Sequence, residues 1–396
     1  MPIQYDQVIR QLREKLPHLA AQREARQEMV EAAREVFEQW KAQPETLRER
    51  VEEAVRKDPN LRSGAPLDHV PALDAVVPPP EFPNPESLAL LASDGSQVMP
   101  DRHRSLFYGV VNVAVFLLTY EASWKVVETR VFFENDFPPY LAPEAYVRME
   151  RTVREHALLA QVAAHVRGLE EAADVFSLPS LDAALDMVAL VDGPLEIWGV
   201  AEQEYRLLVR RLTTHWDRLQ TLGIPLVGYV DRPRADLVVQ MLSIAQGHTD
   251  ARRPLWPGVL DAHLYLPLLQ PGWRSPLFRI HSAGMQGFPQ DHKVCFFYMH
   301  VGTATRPLLA RVELPVWVAQ APTLVQRVHR ALWVSLHWSG DVRYPYPLHR
   351  AHQEAVVTYR DREEFEGLLQ RFWMEQGLTP SGPSEKQRLK NRDRKV

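Results

Sequence analysis

The sequence predicts an α/β protein, a mixed β-sheet with helices on its faces, preceded by a helical extension. Three observations carry this. Between Ser87 and Gln246, apolar segments recur in the order strand, strand, strand, helix, strand, helix, strand, helix. A short turn, EASW, separates the second and third strands and marks an antiparallel hairpin. Ahead of these, apolar residues recur near every fourth position, as on one stripe of a helix.

The extension comes first. Val8, Leu12, Leu16 and Leu19 share one stripe, as do Val30, Ala33, Phe37 and Trp40, and then Leu47, Val51 and Val55. The intervening faces are Arg, Glu, Gln and Lys, so residues 1–60 are expected to form a helical layer on the core or a dimerisation arm. Residues 61–86 include PALDAVVPPPEFPNP. Proline at that density suits neither helix nor central strand, so a linker or surface strap is expected there.

The core is expected over residues 87–378. SLALLASDGS is a strand ending at Asp94, LFYGVVNVAVFLLTY a second strand, and KVVETRVFFEN a third. Pro143 opens a long helix, MVALVDG is a fourth strand, and a helix follows from about Val200 to Leu222. IPLVGYVDRP is a fifth strand and Ala235 to Gln246 a helix. This is the element order of an RNase H-like fold. KVCFFYMHVG and LARVELPVWVA are further strands, with a helix from about Thr323 to Ser339 between them and a final segment that includes YPYPLHRAHQEAV. Residues 379–396 carry Lys386, Arg388, Lys390, Arg392, Arg394 and Lys395 without apolar anchors, and a disordered basic tail is expected.

Composition narrows the function classes. Of 396 residues, 45% are apolar and 24% charged, ordinary for a globular protein with a sizeable core. The single cysteine, Cys295, lies in VCFFYM and suits a small core residue; one thiol excludes an internal disulfide, and no Cys/His zinc spacing is present. The N-terminal residues lack an apolar signal core. The run from Leu106 to Tyr120 falls short of the roughly 20 residues of a membrane span. A cytoplasmic location away from membranes is expected. The formal net charge of −4 is low for a chain that grips DNA unaided through many phosphates. Nucleic acid must then meet a local basic patch or be delivered by a partner.

Three carboxylates stand where strands end: Asp94 after LALLA, Asp192 before Gly193-Pro194, and Asp231 before Arg232-Pro233. Ligands of open α/β sheets bind outside the carboxyl ends of strands. A single Asp before Gly or Pro is a common turn former, but three at one structural station suggest a site. On the long helix, Leu158, Leu159, Val162 and Val166 extend a stripe that begins at Glu155. A carboxylate there needs a cation, either a metal ion or Arg151 one turn earlier. Phosphodiester hydrolysis fits such a set, because two divalent ions about 4 Å apart activate water and neutralise the phosphate and leaving oxygen. An all-oxygen cage favours Mg²⁺ or Mn²⁺ over zinc. Arg102, His103 and Arg104 follow the Asp94 motif directly, and with Arg232 they are candidates for phosphate contact, a solvated loop being the alternative.

SDGSQVMPDRH, VDGPL, GYVDRP, FFYMH, ARVELPVWVA and YPYPLHRAHQEAV, in this order from about Leu88 to Leu369, resemble NurA nucleases. The resemblance implies an RNase H-like core of PIWI-like flavour, a homodimer around a channel, and Mn²⁺-dependent exonuclease and endonuclease activity on DNA. It also implies work in DNA-end resection with HerA, a hexameric ATP-driven translocase. By the same resemblance the site comprises Asp94, Glu155, Asp192, Tyr344 and His352, with Asp231 a further position and Asp94, Glu155, Asp192, Asp231 and His352 the metal ligands. Tyr346 competes with Tyr344, and Glu150 with Glu155, the stripe favouring Glu155. Arg311 and Glu313, alternating on one strand face, are expected to form a buried ion pair outside the site. The competing functions are a catalytically inactive adaptor for a HerA-like motor and another RNase H-like hydrolase.

Overall fold

The structure, a computed structural model, describes residues 3–81, 85–102, 107–169, 178–250 and 254–377, with the backbone alone of 17–21. His103, Arg104 and the basic tail from 379 lie outside the described residues. In chain order the elements are α1 Tyr5–Trp40, α2 Pro44–Lys57, β1 Ser63–Pro66, β2 Leu88–Val98, β3 Tyr108–Thr119, β4 Ser123–Phe133 and α3 Pro143–Val166. Then come β5 Asp186–Asp192, α4 Glu202–Thr221, β6 Leu226–Asp231, α5 Leu237–Ala245, α6 Asp261–Tyr265, β7 Phe278–His281, β8 Val294–His300 and β9 Leu309–Pro315. The last are α7 Val316–Ala319, α8 Pro322–Trp338, α9 Tyr346–Ala355 and α10 Tyr359–Glu375. Among the described residues, no helix is long and apolar enough to cross a membrane. The chain forms two compact units, one of Met1–Glu81, Pro194–Glu196 and Tyr229–Pro322, the other of Phe82–Gly193, Ile197–Gly228 and Thr323–Val396.

The first unit is built on the antiparallel ladder β1-β7-β8-β9. β8 and β9 are buried along their whole length, which is why VCFFYMH and LARVELP read as continuous apolar runs. Of the expected N-terminal stripes, Val30, Ala33, Phe37, Leu47 and Val51 are buried, whereas Val8, Leu12 and Leu16 are exposed. The stretch expected as a linker contains β1, all four of its residues buried, and Leu61, Leu67, Val70 and Leu73 are buried around it. Ser-Gly-Ala-Pro carries no alternating apolar pattern, so nothing in its sequence marks it as a strand. Asp261 ties α5 and β8 together: its buried carboxylate accepts from the backbone N–H groups of Val238 and Val239 at 2.9–3.1 Å and from the Tyr298 hydroxyl at 2.6 Å. Burial still pushes its pKa up, to about 6.

The second unit carries the hairpin and crossover units. β2 pairs antiparallel with β3 and β3 antiparallel with β4, while β2 pairs parallel with β5. The order β5-β2-β3-β4, with the first half of β6 beside β5, is the mixed sheet of hairpin and crossover strands that the sequence predicts. β2 and β3 are almost wholly buried because helices cover both faces. Successive residues of a strand project to opposite faces. Gly95 turns its Cα toward Arg151 and Glu155 of α3, and Ser96 points its hydroxyl to the end of α9. α3 and α9 therefore lie on opposite faces of the same strand. α3 is anchored in turn by α4, where the indole of Trp216 donates to His156 at 3.1 Å.

One expected boundary moves. PVWVA, expected as the end of a strand, becomes the short helix α7, because Pro315 removes a donor the ladder needs and suits a helix entrance. The final segment, given no element from sequence, holds His352 on the helix α9, with Pro347 in its first turn.

Candidate active site

β2 does not end at Asp94. It continues to Val98, paired with β3 throughout, but its parallel ladder with β5 stops at Ser93↔Val191. Asp94 is thus the first residue of β2 beyond the paired ladder, level with Asp192, the last residue of β5. Parallel pairing of β2 and β5 accordingly carries two residues distant in sequence to one edge.

Glu155 comes from α3 on the other face. It reaches the same edge because residue 95 has no side chain. A Cβ built on Gly95 would lie 2.6 Å from Glu155 Oε1 and 2.9 Å from Arg151 Cγ. The space a side chain would fill is occupied by the Glu155 carboxylate. No signal of spacing or periodicity marks Gly95 beyond its place in DGS, and its role was not evident from sequence.

Each carboxylate has its own donor. His352 Nδ1 lies 2.6 Å from Asp94 Oδ2, while the Gly95 N–H donates to Asp94 Oδ1 at 2.8 Å. The Tyr344 hydroxyl donates to Asp192 Oδ1 at 2.7 Å. Arg151 Nε lies 3.4 Å from Glu155 Oε1. Even so, Glu155 is pushed up to about 8. Desolvation is the main cause and the charges of Asp94 and Asp192 add to it, against the opposing pull of Arg151 and the Gly95 N–H. Burial also raises Asp192, although the Tyr344 hydroxyl stabilises its charged form. Charge is therefore concentrated here in excess of its compensation, the condition under which a site takes up a cation.

The alternatives separate by contact. Glu150 is buried and clamped by the Arg211 guanidinium, whose Nη2 donates to Oε2 at 3.1 Å, so it belongs to a structural pair between α3 and α4. Tyr346 packs its ring edge-on against Phe116 at 6.3 Å, and Tyr344 is the tyrosine that meets Asp192. Asp231 ends β6 in the first unit, 3.8 Å from the guanidinium of the exposed Arg232. Arg232 has φ 45°, a left-handed backbone uncommon outside glycine. Arg102 lies in an exposed turn. Arg311 and Glu313 do form the buried pair, at 2.7 Å, and Glu313 also accepts from the Leu195 N–H at 2.7 Å.

The donor set fits a hard divalent cation, being oxygen-rich with one imidazole at its margin. As they stand among the described residues, no three acidic, histidine or cysteine side chains close around one point. His352, Tyr344 and Arg151 hold the three carboxylates instead.

The NurA domain model matches residues 88–357, well over half of the chain. The chain belongs to the NurA family. Its match begins at the first residue of β2 and ends just past α9, so it takes in the whole cluster. Solved NurA structures are similar at low identity. One, with manganese, is 10% identical, with 74% of this chain and 91% of that one covered and a TM-score of 0.37. Another, bound to dAMP and manganese, is 10% identical over 80% and 90%, with a TM-score of 0.33. Drosophila Piwi is 14% identical over 69% of this chain and 30% of its own, with a TM-score of 0.28. No match is found among curated proteins.

Proposed function

We propose that this NurA-family chain is a metal-dependent deoxyribonuclease with Asp94, Glu155 and Asp192 as its catalytic carboxylates. The observation that carries this is their convergence: β2, α3 and β5 deliver three carboxylates to one edge, where Glu155 is raised to about 8 by burial and by its two neighbours. A lone structural carboxylate needs no such company. These three residues would hold one or two divalent ions, Mn²⁺ or Mg²⁺, with His352 at the margin. Such ions, when bound, supply an activated water and neutralise charge on the attacked phosphate.

The remaining steps belong to the chain's own side chains. Asp94 and Asp192, held by His352 and Tyr344, would be the carboxylates that hold the cation beside the substrate. His352, one nitrogen held by Asp94, is placed to hold or pass a proton with the other. The Tyr344 hydroxyl favours the charged form of Asp192 against the burial that raises its pKa. Arg151, now 3.4 Å from Glu155, would be available to phosphate if a cation took its place.

Processing of DNA ends with a HerA-type translocase, as a homodimer, is the setting proposed from the family resemblance and from the net charge of −4. The test is cleavage of end-labelled linear DNA, single- and double-stranded, with Mn²⁺, with Mg²⁺ and with EDTA, comparing wild type with Asp94→Asn. Metal-dependent cutting lost in the variant supports the assignment. Cutting by the variant at the wild-type rate sinks it.

A further inference from the structure

Asn112 is out of place in the strand YGVVNVAVFLLT. It is buried in β3 with apolar neighbours on either side. Its partners explain it. Asn112 sits opposite Ser96 on β2 and opposite Thr129 on β4, so three polar residues form one row across three strands. The Thr129 hydroxyl donates to Asn112 Oδ1 at 2.6 Å, leaving the amide NH₂ to point the other way. There it donates to the backbone carbonyl of Ala355 at 2.9 Å. The Ser96 hydroxyl donates to the same carbonyl at 2.5 Å and accepts from the Val357 N–H at 3.0 Å.

Ala355 is the last residue of α9. The final carbonyls of a helix lack partners within it. Here one of them is seized by two side chains from the sheet, and the chain leaving the helix is held by the same serine. His352 is three residues back, on the last turn of α9, and it reaches Asp94, two residues before Ser96 on the same face of β2. The row thus fixes the end of the helix at one point and delivers its histidine to the carboxylate one strand step away.

We infer that Ser96 and Asn112, with Thr129 behind them, are positioning residues that set His352 against Asp94. The serine of the DGS motif is tied to α9 both ways, its hydroxyl donating to the Ala355 carbonyl and accepting from the Val357 N–H. A purely structural role would ask only that α9 stay on the sheet. Apolar packing already does that, since Leu348, Ala351 and Ala355 are buried along the helix. Two converging donors on one carbonyl fix orientation as well, and orientation is what a proton-handling histidine needs.

The inference rests on the nuclease assignment only for its consequence in turnover; the geometry of His352 is measurable without it. The experiment uses full-length protein selectively labelled with ¹⁵N-histidine, the His352 ring signals being assigned by their loss in His352→Gln. Ser96→Ala should keep the wild-type melting temperature within a few degrees and move the His352 ring signals toward those of a free imidazole. In the cleavage assay it should lower kcat on the order of tenfold to a hundredfold with KM for DNA unchanged. Ser96→Thr, which keeps the hydroxyl, should restore both. Asn112→Ala should shift the same signals, and if it fails to fold, Ser96→Ala decides alone. A folded Ser96→Ala with unmoved His352 signals overturns the inference. Moved signals in a protein whose wild type cuts no DNA with any metal would uphold the clamp and remove the nuclease assignment instead.

Discussion

Gly95→Ala is the sharpest single perturbation of the proposed site. A methyl at that position would lie 2.6 Å from Glu155 Oε1, 2.9 Å from Arg151 Cγ and 3.2 Å from Glu155 Cγ, where ordinary contact begins at 3.4 Å. The backbone is not the obstacle, since Gly95 is not among the residues with positive φ. Nor is the main chain of α3, because the atoms met belong to flexible side chains. The carboxylate must therefore retreat by about 1 Å, and a misplacement of that size costs on the order of a hundredfold in rate. Stability should barely change. Alanine in a strand gains roughly 0.5–1 kcal/mol over glycine, which offsets the loss of the Gly95–Glu155 contact. The assay is single-turnover cleavage of a labelled duplex beside thermal melting of both proteins. Loss of about two orders of magnitude in rate with a melting temperature within roughly 4 °C is expected. A folded Gly95→Ala that cuts within threefold of wild type would refute the claim that Glu155 acts through this gap.

The other expectations concern the donors around the site. Glu155, raised to about 8 from an ordinary 4.5, favours the protonated form in the folded state. Its contribution is fully present below about pH 4.5 and lost as pH rises through 8. Metal-free protein should therefore lose stability across that window, by an amount on the order of a few kcal/mol, and Glu155→Gln should abolish the dependence in denaturant titrations with EDTA. Saturating Mn²⁺ should raise the melting temperature of wild type at pH 8 and not that of Asp94→Asn with Asp192→Asn. Tyr344→Phe should leave folding intact and cut kcat roughly tenfold, with the lower limb of the pH–rate profile moved upward, because the hydroxyl that favours charged Asp192 is gone; an unmoved limb would deny it that role. In the first unit, Asp261→Ala should destabilise by roughly 3 kcal/mol or more, since Val238, Val239 and Tyr298 all lose their acceptor, and chemical denaturation would expose a smaller effect.

Much of the fold was legible because its strands bury both faces. LALLA, VVNVAVF, MVALV and VCFFYM are continuous apolar runs, and the long helices carry clean stripes, so hydrophobicity alone places them. β1 and β7 were not legible. Ser63–Pro66 has one apolar side chain beyond proline, and Phe278–His281 alternates apolar with Arg and His over four residues, too short for periodicity to register. They are strands because their neighbours supply ladder partners, a tertiary cause that no local pattern contains. The exposed Val8, Leu12 and Leu16 show the converse: a helical stripe was correctly read, but burial of it was not implied by the period.

At the site, chain position announced the carboxylates but not what makes them a set. Asp94 and Asp192 were visible as acidic residues at the mouths of apolar strands. That they face one edge follows from the parallel register Ser93↔Val191, which is a property of pairing. Glu155 and Glu150 are five residues apart on one helix, and the stripe favours the former; the physical separation is that Arg211 claims Glu150, while Glu155 has Arg151 at 3.4 Å against two neighbouring charges. The polar row Ser96–Asn112–Thr129 was hidden for a related reason. Asn112 stands out in its apolar strand but Ser96 and Thr129 do not, and antiparallel register across β2, β3 and β4 turns the three, separated along the chain, into one hydrogen-bonded line ending on Ala355. Side chains that act through a neighbour's backbone, as Ser96 and Asn112 do on the Ala355 carbonyl, owe that role to strand register and not to composition or spacing.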